Sequence, residues 1–414
     1  MNKLYGCIGE KLTHSFSKEI HNALADYDYR IIELSREALG DFANQGDFAA
    51  INVTIPYKEA IMPYLYEIDE HAASIGAVNT VVNRDGKLYG YNTDFFGMSE
   101  LLRHANVSLK DKKVLILGTG GTSKTAYAVA LAEGAREIIR VSRTAKDGAI
   151  SYGDMYERYT DAEVVINTTP VGMYPNIFGK AIELERFPRL SGVIDAVYNP
   201  LRTPMVLDAR KRGIPAEGGL YMLVAQAVKA SEIFTDTSYN GDTLRCVYRK
   251  IVSDKENIVL VGMPGCGKST VGYLLSVALG RELIDTDKLI KKKAGKDIPA
   301  IFREDGEAVF RELEAEVIRE CASENGAVIA TGGGTVLRAD NIDALRENGR
   351  IYFIDRPLEL LMPTSDRPLS STREDITRRY GERYGIYKAA ADITVSADCS
   401  PGEVAEKIIE EFRK

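Results

Sequence analysis

The chain has 414 residues, more than one ordinary core accommodates and enough for two or three domains. Hydrophobic residues make up 45% and charged residues 27%, which excludes a mainly disordered or collagen-like chain. Fifty-three Lys and Arg against sixty Asp and Glu leave a formal charge of -7, so a broad cationic surface for nucleic acid is not indicated and any bound anion must be held locally.

No apolar run reaches the roughly 18 residues needed to cross a bilayer. The first residues, MNKLYGCIGEKLTHSFS, lack a secretory apolar region, and the reading is a cytoplasmic protein that binds small molecules, with no nucleic-acid or membrane partner. Cys7, Cys246, Cys266, Cys321 and Cys399 show no CxxC or CxxH spacing, so neither a disulfide scaffold nor a zinc cluster is expected. From LYGCIG through KEIHNALADY, FAAINVTI, VLILG, TAYAVALAEG, EIIRVS, EVVINTT and GVIDAVY, short β-rich runs alternate with helical ones. That rhythm predicts an α/β fold of mostly parallel sheets.

Four polar constellations precede residue 100: Ser15 and Ser17 in THSFSKEIH, NVTIPYK at 52–58, GAVNT at 76–80 and GYNTDFFG at 90–97. Each alone has a plain explanation, since a serine can cap the helix expected near Lys18 and Asn92 or Asp94 can shape an Asx-turn. Together they supply a lysine, an aspartate, amides and hydroxyls, a set suited to gripping a polyhydroxylated substrate and moving one proton. Lys58 and Asp94 are the catalytic pair this reading selects.

KVLIL then reads as a buried strand running into GTGGTSKTA, with Gly118, Gly120, Gly121 and Thr122 ahead of a helix. Glycines there let a pyrophosphate approach the backbone at a helix N-terminus, although Ser123 stands where a dinucleotide fingerprint has Gly or Ala. The next strand, EIIRVS, ends in Ser142, Arg143 and Thr144, with Lys146 beyond, where an NAD site would place an acidic residue. Arg143 can pair with a 2′-phosphate, which favours NADPH. The expected division is a substrate lobe over 1–105, a Rossmann-like nucleotide lobe over 106–235, and a helix and linker over 236–253.

With SRT, NTTPVGM at 167–173, DAVYNP at 195–200 and GGLYMLVAQA at 218–227 added, residues 1 to about 250 resemble the shikimate dehydrogenase family. The resemblance implies that Ser15, Ser17, Thr54, Asn79, Asn92 or its immediate neighbourhood, and Gln226 hold shikimate, with Tyr198 near its carboxylate. It assigns catalysis to Lys58 with Asp94, and a hydride from NADPH to the ketone carbon of 3-dehydroshikimate, without a metal.

A second nucleotide-type turn follows the polar cluster SDKEN at 253–257. The strand IVLV runs into GMPGCGKST, which places Gly262, Gly265, Gly267, Lys268, Ser269 and Thr270 in a P-loop pattern for ATP and Mg2+. In LIDTD, Asp285 and Asp287 are expected on one face of a strand. EAVFRELEAEVIRE has Val309, Phe310, Leu313, Val317 and Ile318 at helical spacing, with Arg311 among its charges. TGGGT brings Gly332, Gly333 and Gly334, SDRPLS puts Arg367 in a polar loop, and ERYGIY puts Arg383 on a helix ahead of Tyr387.

These motifs resemble shikimate kinase over 254–414. The resemblance implies that Ser269 and Asp285 hold Mg2+, that Asp287 contacts the shikimate hydroxyls and receives the proton of the attacking one, and that Lys268 serves the transferred phosphoryl. It also implies that Arg311, Arg383 and the glycine backbone hold the acid, and that Arg367 closes on ATP from a lid.

The two resemblances name consecutive steps on one metabolite, so the chain reads as a bifunctional enzyme of aromatic amino acid biosynthesis, reducing 3-dehydroshikimate and then phosphorylating shikimate on its 3-hydroxyl. Three alternatives stand beside it: a quinate/shikimate dehydrogenase using NAD fused to the kinase, a catalytically degenerate regulatory fusion, and a P-loop kinase for another small acceptor such as gluconate. Whether the chain forms a homo-oligomer stays open.

Overall fold

The computed structural model describes residues 4–12, 15–145, 148–361 and 372–414. It divides into two compact units, Met1–Ile251 and Val252–Lys414.

The first unit contains two sheets. One joins β1 (Tyr5–Gly9), β2 (Tyr29–Glu33), β3 (Ala50–Val53), β4 (Glu67–Ile68), β5 (Thr80–Arg84) and β6 (Lys87–Tyr91) in the order β2-β1-β3-β5-β6-β4. Its β1, β2 and β3 are parallel, but β5 runs antiparallel to both β3 and β6. That departure from the expected βα rhythm follows from the turn joining β5 and β6, where Asp85 and Gly86 both have positive φ, 53° and 84°. A two-residue turn of this kind reverses the chain within one sheet.

The second sheet is parallel throughout: β7 (Lys113–Leu117), β8 (Glu137–Val141), β9 (Val164–Asn167), β10 (Gly192–Asp195) and β11 (Ala216–Glu217) lie in the order β11-β10-β9-β7-β8. Val114 to Leu117 are all buried, as a strand covered on both faces requires. The helix Leu220–Thr235 serves both lobes. Its Met222 joins the core around Ile116 and Ile194, while Ala230 and Phe234 pack with Cys7 and Tyr29. A cut at 235 therefore does not separate the lobes as the sequence led us to expect, because a helix this apolar needs cover at both ends.

The second unit has one parallel sheet, β12 (Asn257–Val261), β13 (Leu283–Asp285), β14 (Val328–Ala330), β15 (Gly349–Asp355) and β16 (Ile393–Ser396), ordered β13-β14-β12-β15-β16. The division between units falls inside the helix Thr243–Lys255, so Ser253, Asp254 and Lys255 end a helix instead of forming an open turn. In both parallel sheets the strand order reverses beside the strand that carries the Gly-rich turn, β7 or β12, and a crevice opens at such a point beyond the strands' carboxyl ends. No helix among the described residues is long and apolar enough to cross a membrane.

Candidate functional site

Each unit holds a pocket of about 240 Å³ at this position. In the first unit, Thr54 directly follows β3 and a single helical turn, Tyr57–Ala60, carries Lys58, while β6 leads into the helix Asp94–His104, whose first residue is Asp94. The two meet: Lys58 Nζ donates to Asp94 Oδ2 at 2.5 Å, with side chains 13% and 7% exposed. An ion pair this sheltered is held in place, because separating it would strand a charge away from water.

Around the pair, Ser17, Thr54, Asn79, Tyr198 and Gln226 line the same cavity, as does Thr122 of the first Gly-rich turn. Asn79 Nδ2 donates to Thr93 Oγ1 at 3.0 Å and to Gln226 Oε1 at 3.5 Å, so two predicted ligands and a buried threonine form one network. Ser15 Oγ donates to Ser17 Oγ at 3.1 Å; neither serine caps the helix Ser17–Leu24. Burial pushes the Tyr198 phenol up to about 12, with Cys7 adding to the rise and a hydrogen bond with Ser15 opposing it, so at neutral pH it is a donor and not an anion.

Burial pushes the Cys7 thiol, also in this wall, up to about 12 against the pull of Lys58, and leaves it inert as a nucleophile. Asn92 spends its amide on the Ala77 carbonyl at 2.8 Å and its oxygen on the Phe95 N–H at 3.2 Å. It shapes the turn, while Asp94, two residues on, lines the pocket and Thr93 is buried behind it against Asn79 and Gln226.

The first Gly-rich turn carries the expected geometry. Gly118 has φ +113°, and a Cβ there would lie 2.6 Å from Thr168 Oγ1. At Gly120 a Cβ would meet nothing within 4 Å, leaving space against the backbone. The helix Gly121–Ala132 follows with no acidic residue in its first turn, and Ser123 Oγ donates to the Gly118 carbonyl at 2.7 Å, tightening the turn. These features fit a pyrophosphate. Ser142, Arg143 and Thr144 follow β8, with Arg143 and Thr144 exposed. Lys146 lies outside the described residues.

Residues that the quoted motifs contain but to which no role was given also line this pocket: Asn52, Thr168, Thr169, Met173 and Met222. Asn52 accepts from Tyr29 Oη at 2.6 Å. Behind Tyr198, the buried Asp195 carboxylate accepts from Asn167 Nδ2 at 2.9 Å, Val197 N–H at 3.0 Å and Thr203 Oγ1 at 2.7 Å, which ties down the loop carrying Tyr198. Asp195 and Asn167 both sit at strand ends, the signal that could have found them.

In the second unit Gly262, Gly265 and Gly267 take φ of +153°, +81° and +100°, so the P-loop turns in ways that side chains resist. Lys268 begins the helix Lys268–Leu279, and its Nζ donates to the carbonyls of Gly262 at 2.8 Å and Met263 at 3.2 Å. Thr270 is exposed beside it. Ser269 Oγ donates to Asp285 Oδ2 at 2.9 Å, bringing two hard oxygen donors together. Among the described residues no group of three or more His, Cys, Asp or Glu is placed to hold a metal. Two oxygens are what Mg2+ asks of a protein when phosphate and water fill the remaining positions.

Asp285 and Asp287 both line the pocket, but not as strand neighbours: β13 stops at Asp285, which caps the helix Thr286–Ala294, and Asp287 lies in that helix's first turn. Asp285 leaves the strand pattern because its carboxylate accepts from the Lys288 N–H at 3.2 Å. Gly332, Gly333 and Gly334 form the facing wall with Arg311 and Arg383. Arg311 donates to Glu314 at 2.8 Å and Glu307 at 2.9 Å; Arg383 and Tyr387 both donate to the Gly333 carbonyl. Val309, expected on the apolar face, is 45% exposed, whereas Phe310, Val317 and Ile318 are buried. Arg367 lies outside the described residues.

Glu314 and Arg379 line this pocket without having been expected there. Burial raises the Glu314 pKa, Arg311 opposing it.

Comparison with known proteins divides at the same place. The shikimate kinase family model matches residues 264–413, and that of the shikimate dehydrogenase substrate binding domain matches 7–81. A shikimate dehydrogenase (NADP(+)) of Clostridium perfringens is 37% identical over 267 residues, 60% of this chain and 98% of the relative. The crystal structure of shikimate dehydrogenase 1 from Peptoclostridium difficile superposes with TM-score 0.56 at 35% identity, covering 60% of this chain and 97% of that one. Shikimate 5-dehydrogenase from Thermus thermophilus, solved with NADP(H) and shikimate, gives TM-score 0.55 at 27% identity, covering 60% and 99%.

Proposed function

Since the chain belongs to the shikimate dehydrogenase family and continues into a shikimate kinase domain, a bifunctional shikimate-pathway enzyme, we propose that its two pockets act in succession on one ring acid. The observation that carries the first half is the sheltered Lys58–Asp94 pair, 2.5 Å apart, in a cavity that Thr122 of the dinucleotide turn also lines.

In this reading 3-dehydroshikimate lies against Lys58, with its carboxylate toward Ser15, Ser17 and Tyr198 and its hydroxyls toward Thr54, Asn79 and Gln226. Bound NADPH supplies the hydride to the ketone carbon. Lys58 donates a proton from Nζ to the alkoxide oxygen as it forms, and Asp94 keeps the ammonium aimed and charged until then. Gly118, Gly120, Gly121 and Thr122 hold the pyrophosphate, while Ser142, Arg143 and Thr144 hold the 2′-phosphate and so favour NADPH over NADH. Lys146 is a further cation for that phosphate by sequence alone.

In the second pocket Asp287 accepts the proton of the shikimate 3-hydroxyl as it attacks. MgATP, when bound, supplies the γ-phosphoryl group and the divalent charge that offsets its oxygens. Ser269 and Asp285 hold the metal, the Gly262–Gly267 backbone and Thr270 hold phosphate, and Lys268 adds positive charge beside it. Arg311, Arg383 and the Gly332–Gly334 backbone position the acid, and Arg367 is a lid cation by sequence alone.

The test is one reaction containing 3-dehydroshikimate, NADPH and MgATP with the purified chain. Shikimate 3-phosphate is the expected product, with shikimate accumulating when ATP is withheld. Consumption of NADPH without any phosphorylated product, or neither reaction, would overturn the reading.

A further inference from the structure

The helix Arg373–Ala390 turns two arginines, Arg379 and Arg383, into the pocket of the second unit. Four residues apart, they are neighbours on one helix face. Arg383 donates to the Gly333 carbonyl at 3.2 Å. Arg379 is only 8% exposed, and its Nε has no hydrogen-bond partner among the described residues.

A sheltered guanidinium with an unused donor is unfavourable unless something pairs with it. Burial lowers the Arg379 pKa first, the like charges of Arg383 and Arg378 lower it further, and Asp375 and Glu382 offset only part of this. Arg311 is placed differently: Glu307 and Glu314 both accept from it, so its charge is already compensated within the protein. The uncompensated positive charge at the Gly332–Gly334 wall therefore belongs to the helix pair.

We propose that Arg379 is a specificity-determining residue of the kinase pocket, pairing beside Arg383 with the carboxylate of the acceptor acid. The inference rests on the reading that this unit phosphorylates shikimate, and it changes which residues supply the charge. Arg311 positions the acid with its charge shared with Glu307 and Glu314, and Arg379 beside Arg383 adds a further guanidinium fork for the two carboxylate oxygens. A neutral polyol of the same shape would leave both cations unmet and be rejected.

The experiment compares the full chain with Arg379→Met and Arg379→Lys, using shikimate and its uncharged methyl ester as acceptors. The ester is followed by its KM, or by its Ki against shikimate where turnover is slow. For Arg379→Met the KM for shikimate should rise about ten- to a hundredfold, the loss of a charge-assisted hydrogen bond. The KM for ATP and the rate of 3-dehydroshikimate reduction should stay within about twofold of wild type, a change below about half a kcal/mol.

With the methyl ester the gap between wild type and Arg379→Met should close, and Arg379→Lys, charged but not forked, should fall between the other two on shikimate. An equal penalty on acid and ester would make Arg379 a structural residue and overturn the proposal. So would a penalty confined to ATP, which would place its partner among the phosphates, or no penalty at all. A wild-type chain inert toward shikimate would overturn the functional reading as well, whereas an active wild type with an unaltered Met variant overturns the role of Arg379 alone.

Discussion

His21 lies in the first unit, its ring stacked on Tyr29 with centroids 3.9 Å apart and its Nδ1 2.6 Å from Tyr27 Oη. Burial lowers its pKa to about 3, a hydrogen bond with Asn52 opposing the fall. The unfolded chain takes up a proton near pH 6.5, where a free imidazole titrates, and the folded chain does so only near 3. Its contribution is therefore complete above about pH 6.5 and is lost as the pH falls toward 3, at no more than about 1.4 kcal/mol per pH unit. His21→Gln, which cannot titrate, should flatten the acid side of the stability profile measured by hydrogen exchange at β1 and β2. Parallel profiles for the two proteins would remove this role. At this scale Lys58 and Asp94 were legible because a lysine, an aspartate and amides crowd into three short motifs, each at a strand end. Arg379 was not, because with charged residues at 27% of the chain an arginine on a helix reads as solvated, and its burial depends on which face the glycine wall covers.

In the proposed function both chemistries depend on the glycine turns after β7 and β12. Each was readable because a continuous apolar strand, a cluster of glycines and a helical run adjoin in sequence. Gly118 is the more demanding position: its φ of +113° is strained for any side chain, and a Cβ would lie 2.6 Å from Thr168 Oγ1. Gly118→Val should raise the KM for NADPH at least about tenfold, from strain of order 1–3 kcal/mol shared between turn and cofactor. ATP-dependent phosphorylation should be unaltered in the same preparation, and an unchanged NADPH KM would show that the turn does not touch the cofactor. Other elements were less legible. Ser253–Lys255 looked like a break because serine and charged residues favour turns, yet the preceding apolar positions Val247 and Ile251 are buried and carry the helix through them. Asp287 was expected from strand alternation and reaches the pocket from a helix, since a capping bond by Asp285 ends β13 two residues earlier than that pattern needs.

For the whole molecule, the sequence revealed two enzymes because two complete motif series follow one another without interleaving. It did not reveal the lobe boundary near 235, because an apolar helix can serve cores on both sides of it. The two compact units, Met1–Ile251 and Val252–Lys414, each carry a pocket lined wholly by their own residues. Chemistry in one should then be separable from chemistry in the other within the intact chain. Lys58→Ala should lower reduction by about 10²- to 10⁴-fold, the usual worth of a general acid, and leave phosphorylation of added shikimate at the wild-type rate. Asp287→Ala should do the reverse by a similar factor. Chelation of divalent cations should behave like Asp287→Ala, because in the proposed function the metal is held by Ser269 and Asp285, whose side chains meet at 2.9 Å, and serves phosphoryl transfer alone. A single substitution or chelation that depresses both rates together would mean that the pockets communicate or that one fold supports the other, and the description as two self-contained catalysts on one chain would fail.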